Sequence, residues 1–268
     1  MNKKRVFLIA LSVMALFFGS LLLLTWRATE GPRRQALFDA IRTDNAPRTL
    51  ALLRAGADPN TRLPDLRRTP PTGLSGLFPS TRHNTVAPTP LLAAVCIVEH
   101  PDHPANISES IRYNPHPDPV IIRALLEAGA DANGTDYYMN MPLHFAVSSG
   151  SIEVVGLLLK HGANVNPQGK PLLASGGRVE IMRYLLEQGA DINAVDFFGS
   201  TALISTIRFG SQADPVKLLL DHHISVNARD RQGKTALFYA QHPAPYRPAE
   251  QNKHLPEIIE LLKKAGAQ

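Results

Sequence analysis

Leu52-Leu53-Arg54-Ala55-Gly56-Ala57-Asp58-Pro59-Asn60 decides the architecture, because the chain repeats it. The phrase Leu-Leu-x-x-Gly-Ala-(Asp/Asn)-x-Asn returns at 125–133, 158–166 and 185–193. A weakened copy spans 219–227, and a last one runs from Leu261 to Gln268. Gly129 and Gly162 lie 33 residues apart, and Gly189 and His223 lie 34 apart. A period near 33 with helical content predicts stacked helical pairs that lean on their neighbours, not a closed globule. Such an array presents a binding surface more readily than an active site.

A second phrase opens the units. It reads Thr89-Pro90-Leu91-Leu92-Ala93-Ala94, Met141-Pro142-Leu143-His144-Phe145-Ala146 and Lys170-Pro171-Leu172-Leu173-Ala174, then Thr201-Ala202-Leu203-Ile204 and Thr235-Ala236-Leu237-Phe238. Together the two phrases resemble the ankyrin repeat, whose opening is Thr-Pro-Leu-His-x-Ala. The resemblance covers most of residues 34–268. It implies an all-α ankyrin-repeat solenoid of about six helix-turn-helix units, at 34–60, 61–133, 134–166, 167–193, 194–227 and 228–268. The fourth unit is short, so its connecting finger is trimmed.

Elementary chemistry agrees. Proline suits the first helical turn, where its missing N–H has no partner anyway. Asp118-Pro119 and Asp214-Pro215 read as an N-cap followed by Pro at N1. Ile152, Val155, Leu158 and Leu159 fall at helical spacing and predict one buried face. Each phrase glycine sits where a left-handed helix end costs least without a Cβ. His223 takes that glycine's place in the fifth unit and predicts strain there. His144 occupies the histidine column of the ankyrin opening, which implies a hydrogen bond within the turn. Leu92, Leu173, Ile204 and Phe238 stand in that column elsewhere, and their turns are expected to be held by packing.

Residues 6–26, VFLIALSVMALFFGSLLLLTW, contain no charge. At about 1.5 Å per residue they reach roughly 30 Å, the thickness of a bilayer core. The run exceeds a signal-peptide apolar region and no small-x-small cleavage site follows it, so an uncleaved transmembrane signal anchor is expected. The domain reading is a cytoplasmic N-terminus at 1–5, the anchor at 6–26, a linker at 27–33 and the repeat domain at 34–268. Lys3, Lys4 and Arg5 precede the run, whereas Arg27, Arg33, Arg34 and Arg42 follow it. That count alone does not favour an N-terminus in the cytoplasm. The compact basic cluster resembles the start of a signal anchor, and places the repeats outside the cytoplasm on the plasma (inner) membrane. In a Gram-negative bacterium this is the periplasm; a cytoplasm-facing domain is the alternative.

The chain carries a formal net charge of +5. Without Lys3, Lys4 and Arg5, 25 basic residues face 23 acidic ones. No concentrated basic face argues for nucleic acid. Cys96, the only cysteine, is placed in an apolar helix over 91–98 as a buried structural thiol. Three insertions depart from a plain array: 62–88, 100–117 and 241–254. Long loops without secondary structure are functional or disordered. His100, Asp102, His103, His116 and Asp118 have metal-ligand chemistry but match no zinc spacing. Asn106-Ile107-Ser108 and Asn133-Gly134-Thr135 fit the glycosylation sequon, and Asn133 has a structural role in its turn. Gly233-Lys234-Thr235 lacks the upstream glycine of a phosphate loop, since residue 228 is Ala228. No catalytic motif survives, so no cofactor, no metal, no nucleic acid and no small-molecule substrate is expected.

The resemblance implies a protein partner bound along the concave surface, through finger tips and first-helix faces. Tyr137, Tyr138 and Met139 fall in one finger, Phe197 and Phe198 in the matching one, and Arg231 in the next. Arg208 and Phe209 close the first helix of the fifth unit. Arg67 and Arg68 lie in the first insertion, which reaches toward a partner. Exposed aromatics and arginines are enriched at interface hot spots. The chain is similar to small exported bacterial ankyrin proteins, some of which support oxidative-stress defence or neutralise a toxin. The expected role is a membrane-anchored interaction module. Alternatives are an immunity-type protein neutralising an envelope toxin, a cytoplasm-facing adaptor, and remotely a metal-dependent enzyme built on residues 100–118.

Overall fold

The apolar periodicity of the sequence is satisfied by two rows of short helices. A computed structural model describes residues 31–62, 89–98, 111–135, 141–167, 172, 175–210, 212–243 and 252–268. Helix α1 occupies residues 31–42 and α2 spans Ala46–Arg54. Then come α3 (Pro90–Val95), α4 (Pro119–Glu127), α5 (Pro142–Ser149) and α6 (Ile152–Lys160). Residue 172 is helical, and α7 spans Val179–Glu187. The rest are α8 (Ala202–Phe209), α9 (Ala213–Asp221), α10 (Ala236–Gln241) and α11 (Leu255–Lys264). The predicted segment at 6–26 lies outside the described residues. Among the described residues no helix is long and apolar enough to cross a membrane.

First and second helices sort into separate rows. Helices α2, α4 and α6 touch in sequence, as do α7, α9 and α11; α3 meets α5 and α8 meets α10. Within pairs, α3 packs on α4, α5 on α6, α8 on α9 and α10 on α11. One buried apolar seam runs from Leu37 to Leu262. Leu125, Leu158 and Leu185, all from the repeated phrase, are fully buried in it. Each contributes roughly 2 kcal/mol through burial.

The helix ends follow from the phrases. Pro90, Pro119 and Pro142 each occupy the first position of their helix. Asp118 caps α4 by accepting from Val120 N at 2.8 Å. The parallel expectation for Asp214-Pro215 is corrected: α9 begins at Ala213, with Gln212 as its N-cap. Both residues then sit inside the first turn, where a proline still forfeits no helical bond. Ile152 was expected in the core but is 47% exposed. As the first residue of α6 it precedes the buried stripe, which Val154, Val155 and Leu158 form.

Gly56, Gly129, Gly162, Gly189 and Gly266 all have φ between 84 and 89°. His223 holds the same left-handed position at φ 60°. His223 N donates to the Leu220 carbonyl and Ile224 N to the Leu219 carbonyl, so the helix end closes despite its Cβ.

The insertion after α3 adds what the helical reading lacked. Cys96 leaves the helix and starts strand β1 (Cys96–Val98), which pairs antiparallel with β2 (Ile111–Tyr113). Cys96 is therefore not helical, though it is buried at 5% exposure. Consecutive β-branched Ile97 and Val98 fit a pleat better than a helix. The far end of the 100–117 insertion is thus ordered, while 100–110 lies outside the described residues.

Candidate protein-binding surface

The finger between α7 and α8 is a tight hairpin organised by one carboxylate. Asp196 N donates to the Ser200 carbonyl at 3.0 Å, and Gly199 N to the Asp196 carbonyl at 3.0 Å. Asp196 Oδ1 accepts from Phe198 N and Ser200 N, both at 2.8 Å. The next finger repeats the device: Asp230 N donates to the Lys234 carbonyl, and Asp230 Oδ1 accepts from Gln232 N and Lys234 N. Aspartate suits this because its short carboxylate caps backbone groups two and four residues on.

These two fingers are joined. Arg231 N donates to the Phe198 carbonyl at 2.9 Å. The Arg231 guanidinium lies 4.6 Å from the Phe197 ring centre. Gly199 permits the approach, since a Cβ there would meet Arg231 N at 3.1 Å. Phe197 and Phe198 meet edge to face at 5.6 Å, and both remain largely exposed, at 68% and 61%. Phe197 meets the neighbouring finger under the Arg231 guanidinium.

A second cluster sits on the first-helix row. Arg208 lies 5.1 Å from the Phe209 ring and 5.5 Å from the Tyr239 ring. Phe209 is 71% exposed. Lys234 Nζ stands 5.0 Å from the Phe238 ring and 5.6 Å from that of Tyr239. Phe238 also stacks on His242 at 4.5 Å. The Tyr239 hydroxyl donates to Asp230 Oδ2 at 2.6 Å, tying helix α10 to its finger. Partial burial and this bond to Asp230 push the Tyr239 phenol above its ordinary value. Burial acts upward on Asp230 as well. The Tyr239 hydroxyl and the backbone N–H groups of Lys234 and Gln232 outweigh it and hold the carboxyl below its ordinary value.

Of the residues the sequence nominated, Phe197, Phe198 and Arg231 come together on adjoining fingers, while Arg208, beside Phe209 at the end of α8, is linked to the second finger through the Tyr239 ring. Tyr137, Tyr138, Met139, Arg67 and Arg68 lie outside the described residues, as do His100, Asp102 and His103. His116 is exposed, and Asp118 is engaged as the α4 cap. Among the described residues no group of three His, Cys, Asp or Glu could hold a metal ion. Sequence reasoning missed Lys234, Phe238 and Tyr239. Their signal was available: Lys234 precedes the Thr235 cap, and Phe238-Tyr239 fills the histidine column with aromatics.

The openings are held by more than packing. His144 Nδ1 accepts from Met141 N at 3.0 Å, as the family resemblance implied. In three openings that lack this histidine, a threonine does the work. Thr89, Thr201 and Thr235 cap their helices by accepting from Leu92 N, Ile204 N and Phe238 N.

Residues 110–169 and 171–267 match the family model described as ankyrin repeats in three copies. The chain belongs to the ankyrin-repeat family. An ankyrin repeat domain from Acinetobacter baumannii AYE superposes with a TM-score of 0.61 at 24% identity, over 87% of this chain and 98% of that one. An ankyrin repeat protein of fowlpox virus (strain NVSL) is 44% identical over 61 residues, 22% of this chain and 11% of the viral protein. The 2-5A-dependent ribonuclease of Mus musculus is 50% identical over 48 residues, 18% of this chain and 6% of the enzyme. These curated relatives are thus matched over about a tenth of their length or less. Ankyrin repeats are protein–protein interaction modules, typically non-catalytic, and the family suggests a protein partner.

Proposed function

We propose that this protein is a membrane-anchored ankyrin module that binds a protein partner through its concave surface and inserted loops. In this reading residues 6–26 anchor it, 34–268 form about six units, and the repeats face away from the cytoplasm. The finger residues Tyr137, Tyr138 and Met139 extend the patch of Phe197, Phe198, Arg208, Phe209 and Arg231, and Arg67 and Arg68 approach from the first insertion.

The observation that carries the reading is the pairing of exposed Phe197 and Phe198 with Arg231 on adjoining fingers. Two large rings at more than half exposure are costly to leave in water, and such exposed clusters mark interaction sites. The fingers hold them rigidly, through the Asp196 turn and the bond from Arg231 N, so little ordering is needed on binding. Photo-crosslinking through residue 138 or 198 in intact cells tests it. A discrete protein adduct is expected, and adducts indistinguishable from those of a probe placed at exposed Glu187 on α7 would defeat it. A carboxy-terminal reporter active only outside the cytoplasm tests the orientation; an inactive reporter on a stable fusion favours the cytoplasm-facing adaptor.

A further inference from the structure

We propose that the partner's docking segment is acidic, a short stretch whose carboxylates meet Arg208, Arg231 and Lys234 and whose apolar side chains rest against Phe197 and Phe198 on the finger and Phe209 at the end of α8. This rests on the protein-binding reading above and adds the chemistry of what binds.

The large apolar side chains most exposed among the described residues are Phe209, Phe197 and Phe198, at 71%, 68% and 61%. Each cation in the patch lies over a ring: Arg231 over Phe197, Arg208 over Phe209 and Tyr239, Lys234 over Phe238 and Tyr239. A cation held on a ring face is oriented without being neutralised. Three other cations do pair with carboxylates: Arg42 with Asp39, Arg123 with Glu153 and Lys217 with Glu257. Arg208, Arg231 and Lys234 have no carboxylate within 4.0 Å among the described residues.

The acids nearest in the chain are already committed. Asp196 accepts from Phe198 N and Ser200 N. Asp230 accepts from Gln232 N and Lys234 N on one oxygen and from the Tyr239 hydroxyl on the other. Among the described residues these three cations make no ion pair, with Asp230 attracting Lys234 only at longer range, so the patch is able to accept negative charge. Potentials across specific interfaces are complementary, so the complement is negative. Single-stranded nucleic acid also combines charge with stacking, but it needs open ring faces along a basic groove. Here Arg231 covers a face of Phe197, Phe198 meets that ring edge-on at 84°, and the chain beyond the first basic cluster is close to neutral. An acidic protein segment fits better.

The test selects displayed random peptides on the full-length protein in detergent micelles. Selected peptides are expected to be rich in Asp and Glu around an apolar residue, and to weaken as salt is raised. Replacing their acids by amides, or using Arg208→Gln/Arg231→Gln/Lys234→Gln protein, is expected to weaken binding by roughly tenfold or more at unchanged Tm. Peptides lacking acids, binding kept by the triple variant, tighter binding of a labelled oligothymidylate, or no enrichment at all would each overturn the proposal. Acid-free peptides that still require Phe197 and Phe198 leave the docking reading standing and reject only the charge. Peptides indifferent to both sets of substitutions reject the surface itself.

Discussion

Asn133 reaches from its own unit to Gly162 in the next. Its Nδ2 donates to the Gly162 carbonyl at 2.9 Å, and its Oδ1 accepts from Asn164 N at 2.7 Å. Asn60 does the same to Gly129 and Asp131, Asn166 to Gly189 and Asp191, and Asn227 to Gly266 and Gln268. The terminal asparagine of the repeated phrase is thus a ladder rung. The residue two before it sets the rung: Asp58, Asp131, Asn164 and Asp191 each accept the asparagine's backbone N–H. An amide is required because one end must donate and the other accept.

Asn133→Ala is expected to cost about 1–2 kcal/mol, two bonds at about 1 kcal/mol or somewhat less each. Asn193 accepts from Ser225 N but has no matching bond to the His223 carbonyl among the described residues. Asn193→Ala is therefore expected to cost about half as much. Urea unfolding of both variants checks it, and equal losses would show that the two-ended rung is not what matters.

His223 stands where five other units place glycine, and its φ of 60° carries the steric penalty of a Cβ. His223→Gly is expected to stabilise the fold by roughly 1 kcal/mol. Asp44 shares the left-handed conformation at φ 52°, but aspartate tolerates it better, so Asp44→Gly is expected to gain less. Thermal melts rank the two. A lower Tm for His223→Gly contradicts the assignment of strain.

The Asp230–Tyr239 bond links stability to pH in a known direction. Asp230 titrates below its ordinary value of 3.8 in the fold, so its contribution is present above that value and lost as pH falls through the folded one. Tyr239 titrates above its ordinary value of 10.0, so its contribution is present below that value and lost as pH rises through the folded one. Tyr239→Phe is expected to cost about 1–2 kcal/mol at neutral pH. The gap between variant and native protein should narrow in strong acid and again in strong base. Unfolding curves across that range measure it, and a gap independent of pH would assign the loss to packing alone.

The repeated phrases made the helical array legible because each residue has a local job: proline at a helix start, glycine at its end, leucines on the buried stripe. The ankyrin family and the role of His144 followed from the same residues. Cys96 was misplaced because a run of apolar residues has no period that separates helix from buried strand, and the deciding contact with 111–113 comes from across an insertion. Ile152 was misread for the opposite reason: its spacing fits the stripe, but the buried residues begin two positions later, at Val154. At the candidate surface, Phe197, Phe198 and Arg231 were legible as finger residues. The cage around Tyr239 was not, because it depends on Asp230, nine residues away, turning its carboxylate back onto the helix.

Tyr138→Ala with Phe198→Ala is expected to abolish capture of the partner while changing stability by less than about 1 kcal/mol. The reasoning for Phe198 is structural: its ring is 61% exposed, and its link to the next finger runs through its carbonyl, which alanine keeps. Loss of the ring removes an edge contact to Phe197 and little core. A pull-down beside a thermal melt separates the two effects. Capture retained by the double variant at native Tm would move the interface away from these fingers, toward the outer helices or the insertions.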